Sequence, residues 1–485
     1  MTKSKICDDG QAWAIEIDER ERRTLNDSYT RMRQEESRLE SEHCKATAFA
    51  KMASIMRESP WRELRLEAGG KYHVEGELGV WSFTTWRVVD TKNEKIIYDT
   101  RASLPLQRGK KRHCTTGYRE LLLFFGMESQ SCRQSSKLLS RLRHQYGGRL
   151  VAATSVRDLA EAEGLAMEKS LNDAVEVEME KLIDATPPAP PPQLERVRLE
   201  LAVAAAEIPP ELLAEAYANT VPITPPESTV EISPDAVFCK KQKEMRKENP
   251  DLLPESKTKS ERKTVSTCCA TVEFKNKRIT LAARAYMPLC MAVAAVLSAN
   301  RLLGMHACLL SDGETKLRDD FMPALRKVVA SLHHVLDWYH LAKRCAALLS
   351  SACKGKDIRN MHKNEILRFL WFGCVDSAID YVKAIPDGDL KSPKHRDTLV
   401  EYLSKRKGQI PVYAVRRQLG LPNSSNAVEK ANDRLVSTRQ KGKGMSWSQN
   451  GSSALAMIRM TTRNGQARLW LDERKLSLEF LKSAA

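Results

Sequence analysis

The feature that most constrains this chain lies between residues 229 and 340, where short apolar segments alternate with helical patterns. We expect a strand near 229–239, a hairpin over 264–283, an apolar helix near 286–303 and a strand at MHACLLSDG. A helix over 315–330 and a strand at HHVLDWYHL follow. Three consecutive strands followed by alternating helix and strand predict an α/β fold, with a mixed sheet covered by helices.

The rest of the 485-residue chain divides by composition, since it is several times the size of one domain. We predict a charged N-terminal helix at 1–60, a small β-containing accessory region at 61–125 and a helical DNA-binding region at 126–185 that allows a helix-turn-helix. A proline-rich extended linker with one short helix follows at 186–228. We expect the first part of the core at 229–340, an all-helical insertion at 341–420, and the final part of the core, with the helix of Glu429 and a C-terminal tail, at 421–485.

Charge points to the partner. The 78 basic and 62 acidic residues give a net charge of +16, which favours a polyanion such as nucleic acid. No apolar run is long enough to span a bilayer and the N-terminus lacks a secretory pattern, so we expect a cytoplasmic, nucleoid-associated protein with no membrane partner. The 12 cysteines include no C-x-x-C pair and are expected to be reduced, mostly buried thiols.

A basic segment at 129–149 is the first candidate DNA contact. It carries five cations and no acidic residue, as expected of a helix that faces phosphates: Arg133, Lys137, Arg141, Arg143 and Arg149. Residues 155–183 follow, with Gly164 between two helical patterns, which resembles a helix-turn-helix. Five acidic residues oppose only two lysines in its second helix, so we place the DNA contacts on the basic helix before it.

A second candidate DNA contact is RQKGKGMSWS, near the C-terminus. Arg439, Lys441 and Lys443 lie close to Trp447, a mixture able to hold a nucleic-acid strand and stack an unpaired base. The alternative is a core tryptophan beside a solvated basic loop.

Three carboxylates carry the candidate chemistry. Asp235 is expected at the end of one strand and Asp312 at the end of another, so neighbouring strands would bring both to one edge of the sheet. Glu429 follows the polar segment NSSNAV and is expected in the first turn of a helix. Each also has an ordinary explanation: SDG is a common turn, ISPD can end a strand, and Asn426 with Glu429 fits a capping box.

Converging carboxylates suit hard divalent cations. Two magnesium ions roughly 3.5 to 4 Å apart can activate an attacking oxygen and stabilise the leaving oxygen of a phosphoryl displacement. We therefore expect two Mg²⁺ ions, which Mn²⁺ can replace, at Asp235, Asp312 and Glu429.

The order Asp, Asp, Glu and the surrounding segments resemble the DDE transposases of bacterial insertion sequences over roughly residues 228–470. The matching segments are ISPDAVFCKKQKEMRK, LLSDGETK, VLDWYHLAKRC, PVYAVRRQLGLPNSSNAVEKANDRLVSTRQK and GMSWSQNGSSALA. The resemblance implies a ribonuclease-H-like, retroviral-integrase-like core in which a helical block interrupts the sequence before Glu429, as in Mutator-like relatives.

By the same resemblance, Asp235, Asp312 and Glu429 are the catalytic carboxylates. Asp337 and His340 are similar to the Asp-x-x-His motif after the fifth strand, and an alternative reading makes them a structural pair. The chain departs from the family at two positions. Relatives have an unconstrained residue in place of Pro234 and a second acidic residue in place of Ala236.

The implied function is cleavage of transposon ends and joining of the freed 3′ hydroxyl to target DNA by a homo-oligomer that holds two DNA ends. Two alternatives remain open: a ribonuclease-H-like nuclease that only hydrolyses, and a catalytically silent DNA-binding protein derived from a transposase. The presence of all three carboxylates argues against the silent protein.

Overall fold

The chain forms two compact units, Met1–Ala162 and Glu163–Ala485. The computed structural model describes residues 3–6, 13–16, 19–76, 79–102, 107–108, 113–129, 131–144, 151–183, 185–186, 188–242 and 264–480. No helix within these ranges is long and apolar enough to cross a membrane.

The first unit combines a long helix with a five-stranded sheet. Its elements are β1 (Lys3–Ile6), β2 (Trp13–Glu16), α1 (Glu19–Glu58), β3 (Leu64–Gly76), β4 (Gly79–Asp90), β5 (Lys95–Asp99), β6 (Gln107–Arg108), β7 (His113–Cys114), α2 (Thr116–Glu120), α3 (Gly126–Glu128), α4 (Cys132–His144) and the start of α5 (Ala153–Glu180). The sheet order is β5-β4-β3-β7-β6. Cys44 and Ala48 of α1 are buried in apolar clusters with Val74, Phe83 and Val88 of the sheet.

The second unit contains the mixed sheet. Its elements are α6 (Arg196–Ala205), α7 (Pro210–Tyr217), β8 (Thr229–Lys240), β9 (Thr264–Phe274), β10 (Lys277–Ala283), α8 (Tyr286–Ala299), β11 (His306–Ser311), α9 (Met322–Arg326), β12 (Ser331–Leu336), α10 (Trp338–Ala352), α11 (Lys356–Trp371), α12 (Val375–Lys383), α13 (Pro393–Arg406), α14 (Tyr413–Gln418), α15 (Asn426–Asn432), α16 (Thr438–Gln440), α17 (Gln449–Arg463) and α18 (Ala467–Glu473).

The sheet order of this unit is β10-β9-β8-β11-β12. The first three strands are antiparallel neighbours, and β8, β11 and β12 are parallel. The β9–β10 hairpin turns at Lys275 and Asn276, whose φ values of 46° and 63° are typical of a two-residue hairpin turn. The predicted α/β class with a mixed sheet is therefore confirmed.

The segment between β12 and α15 is helical. Helices α10 to α14 share one apolar core that includes Leu341, Ile366, Leu399 and Tyr413, each buried. This core also takes in Val335 and Leu336 of β12, so the helical block packs on the end of the sheet.

The structure corrects two expectations. The segment 186–228 is not simply an extended linker with one short helix: it forms α6 and α7, because Ala202 and Leu212 bury their side chains in a cluster with Val412 and Val415. The helix-turn-helix is also absent, because α5 runs without interruption through Gly164. A Cβ at Gly164 would clash with the backbone of Ala454, so this glycine permits close helix packing rather than a turn.

Candidate active site

Three aspartates lie at one level across the parallel strands. Paired residues on β8 and β11 differ by 77 in number (229 with 306, 232 with 309), and Asp235 and Asp312 differ by the same number. Paired residues on β11 and β12 differ by 25 (306 with 331, 311 with 336), as do Asp312 and Asp337. The predicted convergence of Asp235 and Asp312 thus follows from strand register.

Asp235 lies inside β8 rather than at its end, which corrects the sequence expectation. The strand continues to Lys240 because β9 pairs with it throughout, whereas pairing with β11 stops at Ile232. Pro234 lies beyond that last β11 pair, where a missing N–H does not interrupt the parallel ladder.

The Asp235 carboxyl is held in an environment that disfavours its charge. Its Oδ2 accepts a hydrogen bond of 2.5 Å from Asn432 Nδ2, and its Oδ1 accepts one of 2.7 Å from the Ala236 N–H. Burial, reinforced by the negative charges of Asp312 and Glu314, raises the pKa of Asp235 to about 6 despite the Ala236 hydrogen bond.

Asp312 is exposed and occupies a tight turn directly after β11. Its Oδ1 accepts a hydrogen bond of 2.9 Å from the Glu314 N–H, and Gly313 has a φ of 81°, which favours glycine. The Glu314 carboxylate accepts a 2.5 Å hydrogen bond from the Tyr286 hydroxyl. Glu314 is a further acidic group near Asp235 that the sequence motifs did not single out.

Asp337 and His340 meet at the first turn of α10. Asp337 is fully buried, and its Oδ1 accepts hydrogen bonds from the His340 N–H at 2.7 Å and from His340 Nδ1 at 3.1 Å. Burial alone would raise the pKa of Asp337, but hydrogen bonds from His340 and Ser425 lower it to about 2. The hydrogen bond to Asp337 raises the pKa of His340, and the charges of Glu429 and Asp312 act in the same direction.

Glu429 lies on α15 with its carboxylate facing His340. The distance from His340 Nε2 to Glu429 Oε1 is 3.7 Å, and the Glu429 side chain is 37% exposed. The capping-box explanation for Glu429 is not supported: Ser425, not Asn426, is the N-cap residue, and it makes no side-chain capping bond. The Ser425 hydroxyl instead donates to Asp337 Oδ2 at 3.0 Å.

Helix α15 is therefore fixed at both ends to the row of aspartates. Asp337 accepts hydrogen bonds from the N–H and the hydroxyl of Ser425 at its start. Asn432, its last residue, donates to Asp235. Glu429 lies between these two attachments, so its helix links Asp235 on β8 to Asp337 at the end of β12.

The donor set fits hard divalent cations in chemical type. Carboxylate oxygens of Asp235, Asp312 and Glu429 are the ligands that Mg²⁺ prefers. Among the described residues the buried Asn432 Oδ1, beside Asp235, has no hydrogen-bond partner. Across the same residues no group of three or more His, Cys, Asp or Glu side chains is arranged so that it could hold a metal ion.

The basic segment near residue 133 forms α4 in the first unit. Arg133 and Lys137 are exposed on it, one helical turn apart. The side chains of Arg141 and Arg143, and the whole of Arg149, lie outside the described residues.

The structure corrects the expectation for Arg439. It is 3% exposed, and its guanidinium lies 5.6 Å from the centre of the Trp447 ring. Trp447 Nε1 donates to the Gln440 carbonyl at 3.0 Å, and the Trp447 backbone bonds to Lys240 and Gln242. Trp447 is therefore bonded to the end of β8 and lies against Arg439, whereas Lys441 and Lys443 are exposed.

An exposed aromatic residue beside the site escaped the sequence patterns. Tyr339 is 54% exposed and lies between Trp338, which packs against Trp371, and His340. The Lys343 ammonium lies 5.8 Å from the centre of the Tyr339 ring. The D-x-x-H motif could have identified Tyr339, because this residue directly precedes His340 on the same helix.

Compared with known proteins, the chain matches no family model and no curated protein. The geometry of the carboxylates and their partners is thus the basis of the functional argument.

Proposed function

We propose that the protein is a DDE transposase with a ribonuclease-H-like core, which cleaves DNA at transposon ends and joins them to target DNA. The observation that supports this most is the common register level of Asp235 and Asp312 on adjacent parallel strands, with the Glu429 helix fastened to both sides of that row. The mixed sheet and the helical block between the second and third carboxylates are consistent with it.

Asp235, Asp312 and Glu429 would hold the magnesium ions. When bound, these ions activate the attacking oxygen and stabilise negative charge on the leaving oxygen. The raised pKa of Asp235, near 6, fits a carboxyl whose favourable partner is a cation from solution.

The other residues position this centre. Asp337 orients the His340 ring through Nδ1, so that Nε2 faces Glu429. Asn432 fixes the Asp235 carboxyl, and Tyr339 with Lys343 presents an aromatic face and a cation to nucleic acid at the rim. At the element's end, water attacks a phosphodiester, the P–O bond to the 3′ oxygen breaks, and a 3′ hydroxyl and a 5′ phosphate result. The freed 3′ hydroxyl then attacks a target phosphodiester, forming a new P–O bond while a 3′ hydroxyl of the target strand leaves.

The DNA partners in this proposal are the duplex transposon ends and the target. Arg133 and Lys137 on α4 contribute phosphate contacts, with Lys441 and Lys443 in the second unit. Two ends must be held together for coordinated joining, so a homo-oligomer is the working form, in the cytoplasm on the nucleoid.

The test uses the purified full chain and duplex oligonucleotides copied from the DNA on either side of its gene. Strand cleavage and joining to a plasmid are measured with Mg²⁺, and end binding is measured with Ca²⁺. Asp312→Asn is compared with Asp320→Asn, an exposed aspartate eight residues further along the chain.

Cleavage and joining by the wild type and Asp320→Asn, with binding alone by Asp312→Asn, supports the proposal. Cleavage without joining would indicate the hydrolytic nuclease. Binding without cleavage by the wild type would indicate the silent DNA-binding protein.

A further inference from the structure

A second polar row lies on the same three parallel strands as the candidate site. Glu231, Cys308 and His333 are directly paired positions of β8, β11 and β12. Each precedes Asp235, Asp312 or Asp337 by four residues. Since successive side chains of a strand alternate between faces, this even separation places Glu231 and Asp235 of β8 on one face, roughly 13 Å apart.

Arg416 packs its guanidinium against this second row. The residue has 0% exposure, and its Nη2 lies 3.5 Å from Glu231 Oε1 and 3.7 Å from Cys308 Sγ. The same side chain donates from Nη2 to the Pro422 carbonyl at 2.8 Å and from Nε to Asn423 Oδ1 at 3.2 Å. One buried side chain therefore joins β8 and β11 to residues 422–423.

Residues 422–423 set where the helix of Glu429 begins. Ser425, the N-cap of α15, follows two residues after Asn423. The Asn423 carbonyl accepts a hydrogen bond of 2.9 Å from the Trp338 N–H, and its Nδ2 donates to the Tyr413 carbonyl at 2.9 Å. A displacement at Asn423 would be passed along the chain to Glu429.

Stability alone does not account for this buried group. Within the described ranges, Arg416 Nη1, Glu231 Oε2 and both His333 ring nitrogens have no hydrogen-bond partner. Burial raises the pKa of Glu231 in spite of Arg416, and burial together with Arg416 lowers the pKa of His333 to about 4. Buried charges of this kind are often replaceable by apolar residues without loss of stability.

We propose that Arg416 is a positioning residue, which fixes the start of α15 relative to β8 and β11 and so sets Glu429 against Asp235 and Asp312. This rests on the function proposed for those carboxylates. Arg416 does not touch the reacting atoms and acts through Pro422 and Asn423.

The experiment separates position from stability with a pair of substitutions. Arg416→Met leaves Glu231 buried without its cation and should lower the melting temperature. Adding Glu231→Leu removes both polar groups and should restore much of the melting temperature. Arg417→Met, at the exposed neighbouring position, is the matched control and should behave as the wild type.

The double variant should still be defective in cleavage, because α15 is no longer held in place by Arg416. We expect its cleavage rate to be roughly 10- to 100-fold lower, with a higher Mg²⁺ concentration needed for half of the maximal rate. Amide hydrogen exchange over residues 423–432 should be faster than in the wild type and in Arg417→Met. Arg416→Lys replaces the double variant in this test if the double variant does not fold. It keeps the positive charge but cannot donate to both the Pro422 carbonyl and Asn423 Oδ1, so it should show the same defects.

A stable double variant with wild-type cleavage, Mg²⁺ dependence and hydrogen exchange would overturn the positioning role. If the wild type itself does not cleave DNA, the proposed function fails. Hydrogen exchange then still tests the role of Arg416: equal exchange over residues 423–432 in the wild type and the double variant would show that Arg416 does not hold α15 in place.

Discussion

Asp99 and Asp235 lie on the two five-stranded sheets of the described residues, and their surroundings act on the carboxyl group in opposite ways. In the first unit Asp99, at the end of β5, lies 2.6 Å from Arg101 Nη2 and 3.0 Å from Arg87 Nε. Burial would raise the pKa of Asp99, but the hydrogen bonds from Arg101 and Arg87 lower it overall. In the second unit Asp235 has an amide and acidic neighbours, and its pKa rises to about 6.

The contrast separates a carboxylate that is paired with the protein's own cations from one that is not. β3, β4 and β5 form antiparallel pairs, and Asp99 is matched by cations on the protein itself. The parallel run β8, β11 and β12 brings Asp235, Asp312 and Asp337 to one level. Of these, Asp337 is matched by His340 and Ser425, whereas Asp235 has no cation beside it and is suited to one from solution.

The largest effect is expected from the unmatched carboxylates. Asp235→Asn or Asp312→Asn should reduce Mg²⁺-dependent cleavage by roughly 1,000-fold or more, because losing several kcal/mol of charge stabilisation changes a rate by that order. End binding should survive, as measured by electrophoretic mobility shift with Ca²⁺.

Asp99→Asn is the control from the first unit. It should lower stability by about 1 kcal/mol or less and leave cleavage unchanged, since Asp99 only pairs with arginines. Cleavage at the wild-type rate by Asp235→Asn would contradict the contrast drawn between Asp235 and Asp99.

The next effect concerns Glu429. Glu429→Gln should fold, bind transposon ends and lose roughly 100-fold or more in cleavage, because an amide is a much poorer Mg²⁺ ligand than a carboxylate. Asp433→Asn, an exposed acidic residue one turn further on, is the matched control.

Asn426→Ala adds a check on the helix itself. Because α15 has no side-chain capping bond, this change should leave the melting temperature nearly unaltered. A thermally stable, fully active Glu429→Gln protein would remove Glu429 from the site.

A smaller effect is expected for the basic helix of the first unit. Replacing Arg133, Lys137 and Arg141 by Ala should weaken DNA binding roughly 10- to 100-fold and reduce the slope of log K against log salt by about 0.9 for each phosphate that the protein no longer neutralises. Binding is measured by fluorescence anisotropy over a series of salt concentrations.

Arginines already matched by acidic partners provide the control for α4. A triple Ala variant of Arg38, Arg65 and Arg101 removes three positive charges that pair with Glu35, Glu94 and Asp99. It should change the salt slope less than the α4 variant. Equal slopes for both variants would argue against a specific phosphate surface on α4.

The smallest effect is a pH dependence of stability from Asp337. Its folded pKa of about 2 lies below the unfolded value, so its contribution is complete above about pH 4 and is lost as the pH falls through about 2. The contribution is at most about 2 kcal/mol. Urea unfolding between about pH 5 and 2 should show a larger loss of stability for the wild type than for Asp337→Asn, and the difference between the two is the contribution of Asp337.

Local patterns in the sequence predicted much of the sheet and the order of its carboxylates. The hairpin at 264–283 and the strand before Asp312 are apolar segments bounded by turns, and both are present. Contacts between distant residues could not be read this way. The Asn432–Asp235 bond joins positions 197 apart, and Arg416 reaches Glu231 across 185 residues.

The predictions that were wrong share a physical cause, which is packing against residues distant in the sequence. Gly164 looked like a turn, but it is required where α5 meets Ala454. The prolines of 186–228 suggested an extended chain, but the apolar residues between them bury against α14. Arg439 looked like a DNA contact in a basic loop, but it is covered by Trp447.

The hydrogen bonds that Ser425 donates to Asp337 hold the two ends of the helical block together, because these residues lie 88 positions apart, where the chain enters and leaves the block. A chain segment whose two ends are clamped together can lengthen or shrink with little change in entropy, since the closure term grows only with the logarithm of its length. A longer connection between two helices of the block should therefore cost little closure entropy and leave Glu429 in place, provided that the apolar core shared with β12 is kept.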